Sequence, residues 1–292
     1  MTTVTAPTSD TATDLAKSIA ALPPLPATAQ EILTCFGDEF IDAKKVASVV
    51  EGDAGICARL LGLANSAYFG VAEPISDMEQ AVSRVLGVDT VRLLVLSMAL
   101  QRSFDSSKCP AFDAERFWLV SMATAECCKK IAAVDETFED AERDLAYSAG
   151  LCHNLGLMAL THIEADRSCE VLKLNDEQVE PGSLTRWFKG EFSTDHKIMT
   201  AELARLWSLP ASMIDAYHFR AYPDTPSANR LGLVVDAAVT AVQNIGLPEE
   251  RQQSLQASAE ALGISEAELQ SMASISERQK ERVKSLAGRS TN

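Results

Sequence analysis

Residues 145–160 read LAYSAGLCHNLGLMAL, an almost wholly apolar run with His153 and Asn154 at its centre. Leu145, Ala149, Cys152, Gly156, Ala159 and Leu160 recur at spacings of three and four, which predicts one buried helix. Gly150 and Gly156 are poor helix formers, each costing about 1 kcal/mol against Ala in a helix interior. Two of them in one apolar helix predict that another element presses close to the backbone there. A polar pair in the middle of such a helix needs partners, because an unpaired buried polar group is costly.

The flanking sequence is punctuated as a series of helices. Pro23, Pro24 and Pro26 interrupt a helix, and Pro26 suits the first turn of the next. Asp42 is placed to cap AKKVASVVEG, with Gly52 ending it. Asp53 caps a helix whose Ile56, Leu60, Leu63 and Ala64 form a stripe, and Asn65-Ser66-Ala67-Tyr68 leaves it. Ser76 and Glu79 have the spacing of a capping box, and Gly87 stops the short helix they begin. Asp89 is placed to cap TVRLLVLSMALQRSF, which is apolar on almost every face and therefore central. SFDSSKCPAF, residues 103–112, is the candidate boundary between two lobes. Asp113 then caps a helix of about twenty residues. ADRSCEVLKLNDEQVEPGS reads as a helix end and a surface loop near Pro181-Gly182. Trp207 is a core anchor, and Leu209-Pro210 starts a new helix. Ser265 and Glu268 form a second capping box, and the basic ending RQKERVKSLAGR complements a helix C-terminus as a solvated face. Tandem helices with short turns and no strand signals give an all-α fold.

The AGLCHNLGLMAL run resembles the AGLLHDIGKL-type segment of the HD superfamily, whose adjacent His and Asp bind metal in phosphohydrolases. It is closer still to the HDOD family, the HD-related output domains of bacteria, in which that site is usually eroded. The words LPPLP, LLGLANSAYFG and ISDMEQAVSRVLG follow the HDOD amino-terminal signature in order over about residues 22–100. Farther on, His196, Trp207, Leu209, Pro210 and His218 match the run DH…W-x-LP…HH. Thr200 stands where the family has Gly, which implies different helix packing there. The resemblance spans about residues 20–245. It implies an N-terminal helical lobe (14–108) packed on an HD-like lobe (109–245), between a disordered tail (1–13) and a helical extension (246–292).

What the resemblance implies for the site is a partial ligand set. His153, Asn154, His196, His218 and Asp236 fall on positions of an HD-like pocket. The position of the first metal-binding His is Val120, the pivotal Asp is Asn154, and the second His of the pair is Phe219. A hydrolytic centre needs several neutral His and ionised Asp ligands converging on one cation, with an open place for an acidified water. An Asn amide offers a neutral oxygen and no charge. The expectation is therefore no catalysis, no metal and no cofactor, with Asn154, His196 and Asp236 satisfying one another in a buried network. The alternatives are a phosphohydrolase with an altered ligand set, or a small-ligand sensor using the residual pocket.

Composition sets the remaining bounds. A net charge of −15 repels phosphate backbones and anionic membranes, so nucleic-acid and membrane partners are not expected. No apolar run of about 18 residues predicts a membrane span, and the Thr-rich start has no basic region or apolar signal core. Seven cysteines without a C-x-x-C pattern read as reduced and buried, in a cytoplasmic protein. Ser121, Cys128 and His162 have no nucleophile–base spacing, and no phosphate-cradling Gly-rich loop or zinc-finger spacing occurs. The reading is a non-catalytic bacterial signalling protein acting on a response regulator or a cyclic-dinucleotide enzyme. Its contact surface would be the N-terminal lobe or the groove between lobes.

Overall fold

Helix ends in the N-terminal part are set by short acidic caps. The computed structural model describes residues 22, 24–34, 42–65, 71, 73–138, 140–177, 183–192, 194–222, 229–245 and 252–274. The expectations for the tail 1–13, Ser66–Tyr68, Pro181-Gly182, the basic segment 278–289 and Cys35 lie outside these residues. Helix α1 (Ala27–Thr34) follows Pro26, whose carbonyl accepts from the Gln30 amide at 2.9 Å. Asp42 caps α2 (Ala43–Glu51) through the Lys45 amide at 2.8 Å. Asp53 caps α3 (Ala54–Ala64), whose Ile56, Leu60, Leu63 and Ala64 are all buried.

Asn65 ends α3, and its carboxamide closes a two-way bond with the backbone of Ile75, at 2.7 Å in each direction. That pairing gives the Asn of the LLGLANSAYFG word a physical role: it ties the helix end to a segment ten residues on. The cap of α4 (Met78–Gln80) is Asp77, which accepts from the Gln80 amide at 2.7 Å, in place of the Ser76–Glu79 box. A carboxylate one residue nearer the first turn reaches the free amide first. The helix runs into a π-helical stretch, Ala81–Leu86, and stops at Gly87 with φ +82°. Helix α5 (Val88–Ser103) begins one residue before Asp89, which therefore lies in its first turn and not at the position preceding it. Val91, Leu94, Val95, Leu96, Ala99 and Leu100 are buried, and α1, α2, α3 and the π-helical stretch all pack on α5.

Among the described residues the chain divides at Ser103/Phe104 into two compact units, one from Pro24 to Ser103 and one from Phe104 on. The division falls inside SFDSSKCPAF, and residues 252–274 belong to the second unit. There Asp113 caps α6 (Ala114–Val134) through the Arg116 amide at 2.9 Å. The run 145–160 is not one helix. Helix α7 (Asp140–Leu151) ends, Cys152–Asn154 turns, and α8 (Leu155–Ile163) begins. In an unbroken helix the Gly150 carbonyl would take the Asn154 amide, and the Gly156 amide would pair with Cys152. Instead the Gly150 carbonyl takes the His153 ring at 2.7 Å, and the Gly156 amide donates to the Thr200 hydroxyl at 2.9 Å. The Gly150 carbonyl and the Gly156 amide thus find partners outside the helix, which offsets the two bonds given up by breaking it.

The polar stretch read as helix end and loop forms a full helix, α9 (Ala165–Glu177). It buries Cys169, Val171 and Leu172 on one side, and the Ser168 hydroxyl bonds the Leu160 carbonyl at 2.9 Å. Then come α10 (Ser183–Phe192), α11 (His196–Leu206), α12 (Ala211–Ala221) and α13 (Arg230–Gln243). Asp195 caps α11, Pro210 precedes α12, and Asn229 caps α13. The chain continues through α14 (Gln256–Leu262) to α15 (Glu266–Met272), where the Ser265–Glu268 capping box is complete. No strand occurs among the described residues, and the fold is all-α.

Both glycines of the central run do what their presence predicts. A Cβ on Gly150 would lie 2.6 Å from the Ala125 Cα of α6. One on Gly156 would lie 2.5 Å from the Thr200 amide nitrogen and overlap the His196 carbonyl oxygen. Trp207 is buried, with its ring 6.0 Å from that of Phe104. Six described cysteines are free thiols, five of them buried. No described helix is long and apolar enough to cross a membrane.

Candidate functional site

The α7–α8 turn carries His153 and Asn154, and it is bonded through the His153 carbonyl to Arg220 of α12. His153 is 4% exposed, and its Nδ1 bonds the Gly150 carbonyl. A carbonyl only accepts, so Nδ1 carries the proton and Nε2 keeps a lone pair. Burial, then the nearby Arg220 charge, pushes the His153 imidazole down to about 3, against the Gly150 bond that favours the charged form. Burial likewise pushes His196 down to about 4, with the Asp195 charge opposing. Both rings are neutral at pH 7.

A residue the sequence reading missed organises this region. Arg220, on the last turn of α12, has a side chain only 3% exposed. Its Nε donates to Asp236 Oδ1 at 2.8 Å, and its Nη1 to the His153 carbonyl at 3.1 Å. Lys197, beside His196, brings a second cation 3.9 Å from the same carboxylate oxygen. Burial lowers the Lys197 ammonium, and the Asp236 charge opposes that shift. One signal was available: Asp236 on an otherwise apolar helix needs a cation, and Arg220 is the guanidinium of ASMIDAYHFRA.

The expected network of Asn154, His196 and Asp236 is not formed. Asn154 Oδ1 and His196 Nδ1 are buried without a hydrogen-bond partner, while Asp236 is held by Arg220 and Lys197. An amide and an imidazole can pair only if their helices bring them together, and here the guanidinium takes the carboxylate. The His218 ring lies 4.9 Å from that of Tyr222. Phe219 packs on α13, its Cδ1 2.6 Å from where a Cβ of Gly232 would stand. Val120 offers an aliphatic side chain from α6. Tyr217, also missed, is buried and donates from its hydroxyl to the Ala149 carbonyl at 2.9 Å, fixing the last turn of α7. Burial pushes the Cys152 thiol, next to the turn, up to about 12.

A divalent ion does not fit this set. Its strongest donor, Asp236, already carries a guanidinium, and His153 brings a neutral Nε2 lone pair without an anion beside it. Asn154 brings no charge. Among the described residues no three His, Cys, Asp or Glu side chains stand close enough to share a metal. A dication placed there would face Arg220 and Lys197 at short range, in a region where desolvation strengthens repulsion.

Comparison with known proteins places the fold. A Marinobacter aquaeolei VT8 chain named for signal transduction superposes with a TM-score of 0.74 at 21% identity, covering 97% of this chain and 66% of its own. A Shewanella amazonensis SB2B chain named as a phosphohydrolase gives 0.66 at 21% identity, covering 94% and 97%. A Geobacter sulfurreducens HDOD domain protein of unknown function gives 0.63 at 22% identity, covering 96% and 93%. In sequence, an uncharacterized protein of Treponema pallidum (strain Nichols) is 26% identical over 212 residues. That match takes in 73% of this chain but only 40% of the Treponema protein's length. The sequence pattern of the HDOD domain matches residues 22–223, from the proline cluster before α1 to the end of α12, and the chain belongs to the HDOD family.

Proposed function

We propose that this HDOD protein is a non-catalytic signalling module that works by binding another protein, a response regulator or an enzyme of cyclic-dinucleotide turnover. The observation that supports the absence of catalysis is the Arg220–Asp236 pair, bonded at 2.8 Å. Hydrolysis at an HD centre requires an anionic cage for a Lewis acid. The cage residue that keeps its charge here is neutralised by the chain's own cation. The signalling role follows from membership of the HDOD family, whose domains serve as output and regulatory modules. The partner class is the reading that the family suggests.

Two measurements test this. Purified protein assayed against cyclic dinucleotides, nucleotides and a chromogenic phosphodiester, with Mn²⁺, Fe²⁺, Ni²⁺ or Mg²⁺ supplied, is expected to show no turnover. Turnover that disappears in His153→Ala, together with stoichiometric metal, sinks the proposal. Capture from the native host with the full chain as bait is expected to return signalling proteins of the named classes, and recovery of none of them counts against the partner assignment.

A further inference from the structure

We propose that Arg220 is the resident cation of this site, a guanidinium that straps the α7–α8 turn to α13 where an HD centre would use a metal ion. The inference rests on the non-catalytic reading and deepens it, by naming what fills the place of the cofactor. Three observations carry it. First, the guanidinium reaches two separate segments at once, the His153 carbonyl at 3.1 Å and the Asp236 carboxylate at 2.8 Å. Those segments carry three of the positions that match HD ligands: His153, Asn154 and Asp236. Second, the Arg220 side chain is 3% exposed, so its charge has to be met by protein acceptors. Third, the neighbouring groups supply no further anion for a metal ion, and Lys197 already stands 3.9 Å from the same Asp236 oxygen. Both nearby imidazoles are neutral, and Asn154 adds no anion.

A metal ion and a guanidinium do the same mechanical work here. Each gathers acceptors from segments distant in sequence, and each removes the need for those acceptors to find water. They differ in exchange. An ion leaves when a chelator competes for it, whereas Arg220 is covalently part of α12. The site therefore stays assembled at any metal concentration. Lysine does not substitute, because an ammonium is a point charge on a flexible stem and lacks the planar fork that spans two acceptors.

The test is chemical rescue. In wild-type protein, EDTA, Mn²⁺ and Zn²⁺ are expected to leave Tm within about 1 °C, since nothing exchangeable holds the site. Arg220→Ala opens a slot between His153 and Asp236 and lowers Tm by on the order of 5 °C. Methylguanidinium at 5–20 mM, against NaCl at equal ionic strength, is expected to recover at least half of that loss, while Mn²⁺ and Zn²⁺ recover none. Arg220→Lys is expected to fall between the two. The proposal is overturned if divalent ions raise the wild-type Tm by several degrees. It is equally overturned if Arg220→Ala matches wild type, or if only divalent ions rescue it. Should Arg220→Ala not fold, Asp236→Asn takes its place; it keeps the guanidinium with a neutral acceptor and is expected to remain indifferent to EDTA and metals, and a metal-dependent Tm in it sinks the strap. Failure of the parent reading looks different: hydrolysis by the wild-type protein refutes non-catalysis whatever the rescue experiment shows.

Discussion

The backbone amide of Gly156 donates to the Thr200 hydroxyl at 2.9 Å, and that hydroxyl donates in turn to the His196 carbonyl at 2.8 Å. One side chain thereby starts α8, bonds back within α11, and holds the two helices at backbone contact. Gly156→Ala places a methyl against the His196 carbonyl and the Thr200 amide, neither of which is a flexible side-chain end. A loss of about 3 kcal/mol or more is expected, read as a shift in the urea midpoint. Thr200→Gly, which restores the residue usual in the family, orphans the buried Gly156 amide and is expected to cost about 1–3 kcal/mol. Thr200→Ser keeps the hydroxyl and loses less. A Thr200→Gly protein as stable as wild type would show that the hydroxyl does not hold this junction.

Ser208 has φ +53° at the end of α11. The Ser208 amide bonds the Arg205 carbonyl at 3.1 Å and the Leu209 amide bonds Ala204 at 3.0 Å, the paired bonds of a Schellman close. Gly263 fills the same role after α14, with φ +72°. Serine in this conformation carries a Cβ penalty that glycine avoids. Ser208→Gly is expected to raise stability by about 0.5–1 kcal/mol despite the added freedom of the unfolded chain. Thermal unfolding measures it, and a lowered Tm rejects the argument.

Arg230 clamps the C-terminal helices. It bonds Asp135 at the end of α6, through Nε at 2.7 Å, and reaches the Ala261 and Leu262 carbonyls at the end of α14. Burial raises the Asp135 carboxyl, but bonds from Thr137 and Arg230 outweigh it and leave it below its ordinary value. Its contribution is therefore present above the unfolded-state value and fades as pH falls through the folded one. Arg230→Met leaves the nearly buried Asp135 without its cation and frees two carbonyls, at a cost of about 1–3 kcal/mol. Hydrogen exchange is expected to speed up in α14 and α15 before it does in α7. Uniform acceleration across the second unit would contradict a local clamp.

His153 makes stability depend on pH. In the unfolded chain it titrates near 6.5, and in the folded protein at about 3. The unfolded state thus takes the proton first, so stability is full above about pH 6.5 and declines as pH falls toward 3, by up to ~1.4 kcal/mol per pH unit. His196, pushed down to about 4, acts in the same direction. Urea midpoints are expected to drop between pH 6.5 and 5, a window above most carboxylate titration. His153→Gln flattens that slope. An unchanged slope in the variant would assign the effect to other groups.

What the sequence determined by itself was decided within a turn or two of the chain. Asp42, Asp53, Asp113 and Ser265 cap helices because the amides they bind lie two or three residues away. The periodicity of the apolar residues made the fold all-α, and Gly150 and Gly156 announced close packing. Even locally, neighbouring side chains competed, and Asp77 took the cap assigned to Ser76. Polarity misled at α9, where one thin apolar edge suffices to hold a helix. Only the tertiary structure decided the break at Cys152–Asn154 and the partner of Asp236. The Thr200 hydroxyl that receives the Gly156 amide is 44 residues away, and the Arg220 that binds the His153 carbonyl is 67. A continuous apolar helix and a broken one satisfy the same periodicity. The choice between them depends on hydrogen-bond partners that arrive only when distant helices pack.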